Sequence, residues 1–197
     1  MGQRSQIYVR FDTKENTKGL VARYFSWNFG ERMVSRARTT IEFLLDLFNI
    51  PNMTLDDKQR LEKLTHIINC NFDLRDYQFS SNILNELNEM SDDFTQSEIL
   101  FLSQDNNDGR LLLDINEKGC KYAFLKSDIE DRIEVMSAKE YMDWNSRNTW
   151  ETSDGLSLND LAICKRNIKF IEDNAKLMTE DEVIEYIFYD YAKGIFT

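Results

Sequence analysis

The spacing of hydrophobic residues changes period three times along this chain. From Gln6 to Phe11 it alternates, with Ile7, Val9 and Phe11 on one side and Gln6, Tyr8 and Arg10 on the other, and Leu20 to Trp27 alternates in the same way. A period of two is that of a half-buried strand. The stretch between them is polar and ends in Gly19, so the two strands are predicted to pair as a β-hairpin. One register of that hairpin sets Arg10 near Arg23. Two like charges in that position need an anion or a carboxylate between them.

From Phe29 to Phe48 the period becomes helical. Met33, Ala37, Ile41, Leu44, Leu45 and Phe48 form one stripe, Asn28 is the expected N-cap and Pro51 closes the segment. Arg32, Ser35, Arg36 and Thr39 fall on an adjacent polar stripe, with the two guanidiniums one turn apart. Further helices are expected over 55–69, opened by Thr54 and Asp57, and over 82–90. The period then returns to two over 98–103, 110–115 and 121–126, broken by Asp105–Gly109 and Glu117–Gly119, which predicts an antiparallel three-stranded meander. Two helices close the chain: 158–176 capped by Ser157, and a last one opened by the capping box of Thr179 and Glu182 and running to Ala192 before Gly194.

These elements give an α+β fold: an N-terminal hairpin and helix, a central meander and a helical C-terminus. With 197 residues, 42% of them hydrophobic, the chain can bury a full core as one domain over 1–197, and 157–197 is the segment that would form a helical subdomain. Cys70, Cys120 and Cys164 are odd in number and widely separated, so they make neither a disulfide framework nor a zinc-binding pair and read as buried thiols of a reducing cytosol. No apolar run approaches the roughly 20 residues that span a bilayer, the N-terminus lacks the apolar stretch of a signal peptide, and Gln6 stands where myristoylation wants Ser or Thr. The expected location is cytoplasmic, without a membrane partner.

Charge sharpens the picture. Residues 1–38 carry eight basic and three acidic groups, net +5, whereas the rest of the chain holds 16 basic and 32 acidic groups, net −16. A strongly acidic body repels nucleic acid and competes with it for basic grooves, so direct DNA binding is not expected. One histidine, His66 in a predicted helix, leaves no basis for a histidine metal site or triad, and no phosphate-binding loop or dinucleotide fingerprint occurs. Asp105–Gly109 touches a calcium-loop pattern, but its glycine falls one position early and the matching later position is Ile115, so a hairpin turn is the expectation. Glu140 and Asp143 near Trp144, and Asp73 with Asp76, are weak candidates for nuclease chemistry. No cofactor and no metal are expected.

The strongest chemical grouping lies in the basic head: Gln3, Arg4, Ser5, Gln6, Tyr8, Arg10, Arg23, Trp27, Asn28, Arg32, Ser35 and Arg36. Arg10, Arg23, Arg32 and Arg36, with Tyr8 and Trp27, could together hold a phosphate or carboxylate beside a helix N-terminus. They could equally form an internal salt-bridge network with the acidic remainder. If they serve an enzyme, the reaction is on a phosphoester or nucleotide, with Tyr8, Ser35 or an acid moving the proton. A structural or assembly protein with internally neutralised arginines is the third reading.

The opening Gly2–Arg10 (GQRSQIYVR), with Leu20–Met33 (LVARYFSWNFGERM), resembles the N-terminus of small proteins carried by bacteriophages and prophages. The likeness covers about the first 45 residues. Phage accessory proteins of this size and acidity often block host defence, anti-CRISPR proteins among them. The resemblance thus implies a non-catalytic inhibitor in the host cytoplasm whose partner is a defence effector, such as a CRISPR nuclease or its guide RNA complex. Glu180, Asp181, Glu182, Glu185 and Asp190 would be the contact residues, their charge occupying a groove built for phosphate.

Overall fold

A computed structural model describes residues 3–12, 18–48, 80–82, 107–126 and 133–188. In it the chain is an α+β protein built on one mixed sheet. The strands are β1 (Arg4–Asp12), β2 (Lys18–Ser26), β3 (Ser80–Asn82), β4 (Arg110–Asn116), β5 (Gly119–Leu125), β6 (Val135–Met136) and β7 (Ala175–Leu177). The described helices are α1 (Glu31–Phe48), α2 (Ala138–Asn145), α3 (Leu158–Asn174) and α4 (Glu180–Phe188). The sheet order is β3-β2-β1-β4-β5-β6, and β7 also pairs with β5.

The alternating hairpin is present, with Ile7 opposite Arg23 and Arg10 opposite Leu20. Arg10 and Arg23 are therefore not neighbours in this register. Being three positions apart in the pairing, they point to opposite faces of the sheet. β4 and β5 form the second expected hairpin, turning between Asn116 and Gly119, whose φ of 123° is a glycine conformation. The meander's third expected strand, 98–103, lies outside the described residues, as do the helix expected over 55–69 and all but Asn82 of the one expected over 82–90. Asn82, expected to open the latter helix, instead pairs with β2 in a strand with Ser80 and Ser81. β4 lies beside β1 and runs parallel to it, and β7 is parallel to β5, so the sheet is mixed where an antiparallel meander was expected.

Directly paired residues share a face, and the two faces differ. On one, Ile7, Val9 and Phe11 join Leu111, Leu113 and Ile115 of β4 and Tyr122 and Phe124 of β5 under α1, α2 and α3. α1 and α3 lie side by side in the same direction: Glu31 is near Asp160 and Arg38 lies over Phe170. On the other face, Tyr8, Ala22, Leu112, Ala123 and Leu125 are covered by Met178 and by Val183, Tyr186 and Ile187 of α4. Within 157–188, α3 thus packs on one face of the sheet and α4 on the other. β7 inserts into the sheet between α3 and α4, and so carries the chain from one face to the other.

The capping expected at Ser157 and at Thr179 with Glu182 is present: Ser157 Oγ accepts from the Asp160 N–H, and the Thr179 N–H donates to Glu182 while Thr179 Oγ1 accepts from the Glu182 N–H. Asn28 does not cap α1. The helix begins after Gly30, at φ 50°, because Asn28 is drawn into the core by other bonds. α2, a helix outside the expected set, has a full capping box of Ser137 and Glu140. Gly109 joins the site to the scaffold: at φ 90°, an added Cβ would meet the Leu125 carbonyl oxygen at 2.6 Å.

Candidate functional site

Three of the four expected anion-site arginines lie on the α1 side of the sheet. Arg23 is 1% exposed and Arg36 2% exposed. Arg36 Nε donates to Asn28 Oδ1 at 2.7 Å, and its guanidinium stacks over the Phe25 ring at 4.7 Å. Asn28 Nδ2 in turn donates to Ser5 Oγ at 2.9 Å and to Met33 Sδ at 3.0 Å. One amide thus ties β1, the end of β2 and two turns of α1 together. Of the expected polar stripe of α1, Ser35 and Arg36 are buried, whereas Arg32 and Thr39 are only partly covered.

At the rim of this cluster, Trp27 adopts φ 59°, a conformation that an aromatic residue rarely takes. Its N–H donates to the Gln3 carbonyl at 2.7 Å, and its own carbonyl accepts from Arg32 Nη1 at 3.2 Å. Its ring is 40% exposed, and Arg32 also lies over Phe29.

Arg10 and Tyr8 depart from the expected set. Both project from β1 on the α4 side, so the sheet stands between them and Arg23, Arg32 and Arg36. Arg10 makes a two-pronged pair with Asp114, Nε to Oδ1 at 3.2 Å and Nη2 to Oδ2 at 2.7 Å, and lies over the Tyr186 ring of α4. Tyr8 is fully buried and shares a side-chain hydrogen bond with Arg110. Burial pushes the Tyr8 hydroxyl well above its ordinary range and pulls the Arg110 guanidinium down from its own, with the Tyr8–Arg110 contact opposing both shifts. A phenol so placed is no general base at neutral pH. Arg110 and Asp114 stand outside the expected set, although their signal is legible: both fall at alternate positions with Leu112 in an otherwise apolar strand, where a charge needs a partner.

The expected partner-binding acids sit on α4, apart from Asp190, which lies outside the described residues. Glu182 turns toward the sheet, where it accepts from the Thr179 N–H and pairs with Lys121 Nζ at 2.7 Å. Those two contacts hold its carboxyl below the usual range. Glu180, Asp181 and Glu185 face solvent and make no ion pair among the described residues. The α4 segment, Glu-Asp-Glu-Val-Ile-Glu-Tyr-Ile-Phe, has four acids and no base.

Of the weaker candidates, Asp73 and Asp76 lie outside the described residues, and the others resolve into structure. Glu140 caps α2, while Asp143 accepts from Lys139 Nζ at 2.8 Å and from Trp150 Nε1 at 2.7 Å. Asn107 and Asp108 accept from the Arg4 N–H, and the Tyr141 hydroxyl donates to the Asp108 carbonyl. The Asp-Gly segment therefore pins the start of β1. Burial pushes the Cys120 and Cys164 thiols up to about 12, which leaves them unreactive. Among the described residues, no group of three or more His, Cys, Asp or Glu side chains could hold a metal ion, and no helix is long and apolar enough to cross a membrane. Comparison with protein-family models, with curated proteins and with solved structures finds no match.

Proposed function

We propose that this chain is a non-catalytic binding protein that presents an acidic surface to the basic, nucleic-acid-binding groove of another protein. The observation that carries the reading is the unequal fate of its charges. Arg23 and Arg36 are sealed in the core and Arg10 is engaged with Asp114, whereas Glu180, Asp181 and Glu185 are turned to solvent. Guanidiniums tied into the core are out of a partner's reach, while the solvent-facing carboxylates set the sign of the charge it meets on α4. With a net charge of −11, that sign is negative. Nucleic acid is repelled, and a surface built to hold phosphate is attracted.

Together with the phage-like N-terminus, this favours an inhibitor of a host defence nuclease of the CRISPR type, which gains its effect by occupying the nucleic-acid channel. The rival reading, a phosphoester enzyme, needs Arg10, Arg23, Arg32, Arg36 and Tyr8 around one substrate, and the sheet separates Arg10 and Tyr8 from the rest. The test is a pull-down of purified effector nuclease, with and without guide RNA, at graded salt. Binding that weakens as salt rises and that guide RNA competes away is the expected result. Retention indifferent to both salt and RNA would overturn the proposal.

A further inference from the structure

α4 carries two stripes. Val183, Tyr186 and Ile187, with Glu182 at their edge, pack toward the sheet. Asp181, Ile184, Glu185 and Phe188 recur at i, i+3, i+4 and i+7 on the outward side, one continuous strip along the helix. Ile184 is 39% exposed and Phe188 66% exposed. A single exposed apolar residue is ordinary, but two on one strip, a turn apart and interleaved with acids, form a mixed surface. The acids in the first turn have a local explanation, since they complement the helix dipole. Glu185 lies beyond that turn, and neither Ile184 nor Phe188 gains anything from water.

From this strip we infer that α4 docks a protein partner whose surface is an apolar pocket rimmed by Lys and Arg, with Phe188 and Ile184 as the anchors and Asp181 and Glu185 as the flanking contacts. The inference rests on the acidic-surface reading above and narrows it to one helix face and one partner chemistry. Charge complementarity selects the occupant. The outward acids Glu180, Asp181 and Glu185, with no base on the helix, repel a nucleic acid strand, and a second copy seated on the same strip would set acid against acid. An anchor of this kind would make part of the binding free energy independent of salt, because burial of apolar area is not screened. The outward strip is also held in a fixed position, because Tyr186 donates to the Leu113 carbonyl at 3.2 Å and covers Arg10, and Glu182 is tied to Lys121.

The experiment titrates the full chain with three probes: a cationic amphipathic helical peptide of Lys, Arg and Leu, an oligolysine of equal charge, and a double-stranded RNA. Light scattering reports the oligomeric state in parallel. Preference for the amphipathic peptide is expected, with about tenfold weaker binding for Phe188→Ser and again for Ile184→Ser at unchanged melting temperature. A variant with Glu180→Gln, Asp181→Asn and Glu185→Gln is expected to lose the salt-dependent part of the affinity and keep the rest. Equal binding of oligolysine, unaffected by Phe188→Ser, would sink the apolar anchor while leaving the acidic-surface reading intact. Failure of both cationic probes would sink the two together. Binding of RNA, or a dimer abolished by Phe188→Ser, would overturn the choice of partner.

Discussion

On the side of the sheet covered by α1, α2 and α3, a deep core encloses Arg23, Asn28 and Arg36, and the polar atoms there bind across three elements. On the side covered by α4 the core is thinner among the described residues, and the ion pairs there, Arg10 with Asp114 and Lys121 with Glu182, sit at its margins. The first side uses polar groups to fix the angle between the hairpin and α1. The second uses them to seat one short helix whose far side is left acidic and apolar. The difference shows why residue type alone is a poor guide to function in this chain: its most chemically suggestive residues are the ones most fully committed to structure.

Tyr186→Ala should break the comparison most severely. It removes the largest side chain with which α4 covers the sheet and uncovers Arg10, at an expected cost of about 3–5 kcal/mol in denaturant unfolding. A loss below about 1 kcal/mol would mean that α4 contributes little to the fold. Asn28→Ala comes next, at about 2–3 kcal/mol, because it strips a buried guanidinium and the Ser5 hydroxyl of one bond each.

Glu182→Gln tests the thinner side through pH. Lys121 and the Thr179 N–H hold this carboxyl below its unfolded value, so its contribution is present above an unfolded pKa of about 4.3 and is lost as pH falls through the lower folded value. Near the surface the effect is about 0.2–1 kcal/mol, and the variant should melt slightly lower at neutral pH and converge with the parent in acid, which flattens the acid limb of its melting-temperature profile. The smallest effect is expected from Phe188→Ser, within about 0.5 kcal/mol of the parent, as befits a side chain left in water.

The elements of this fold were legible wherever one face of a segment is apolar and the other polar. β1, β2, α1, β4, β5 and α3 follow from that contrast, and the caps at Ser157 and Thr179 from local hydrogen bonding. α2 escaped because eight residues offer barely two turns of pattern, although Ser137 and Glu140 spelled its capping box. β7 escaped because its three residues gain their strand character from pairing with Cys120–Tyr122, a contact 55 residues away in sequence. The candidate site was less legible still. Arginines spaced along a hairpin and a helix look convergent in one dimension, but a strand sends alternate side chains to opposite faces, so which neighbours Arg10 meets depends on β4 and α4. The outward acids of α4 could be read from the chain, whereas the exposure of Ile184 and Phe188 beside them follows only from which side of the helix the sheet covers.

Paired chemical footprinting tests the central claim most directly: arginines in the native protein are labelled with phenylglyoxal, carboxylates with a carbodiimide and glycinamide, and both are mapped by mass spectrometry. Arg23 and Arg36 should stay unmodified until the protein unfolds, while Glu180, Asp181 and Glu185 label early. Rapid native-state labelling of Arg23 and Arg36, or protection of those three carboxylates, would contradict the account.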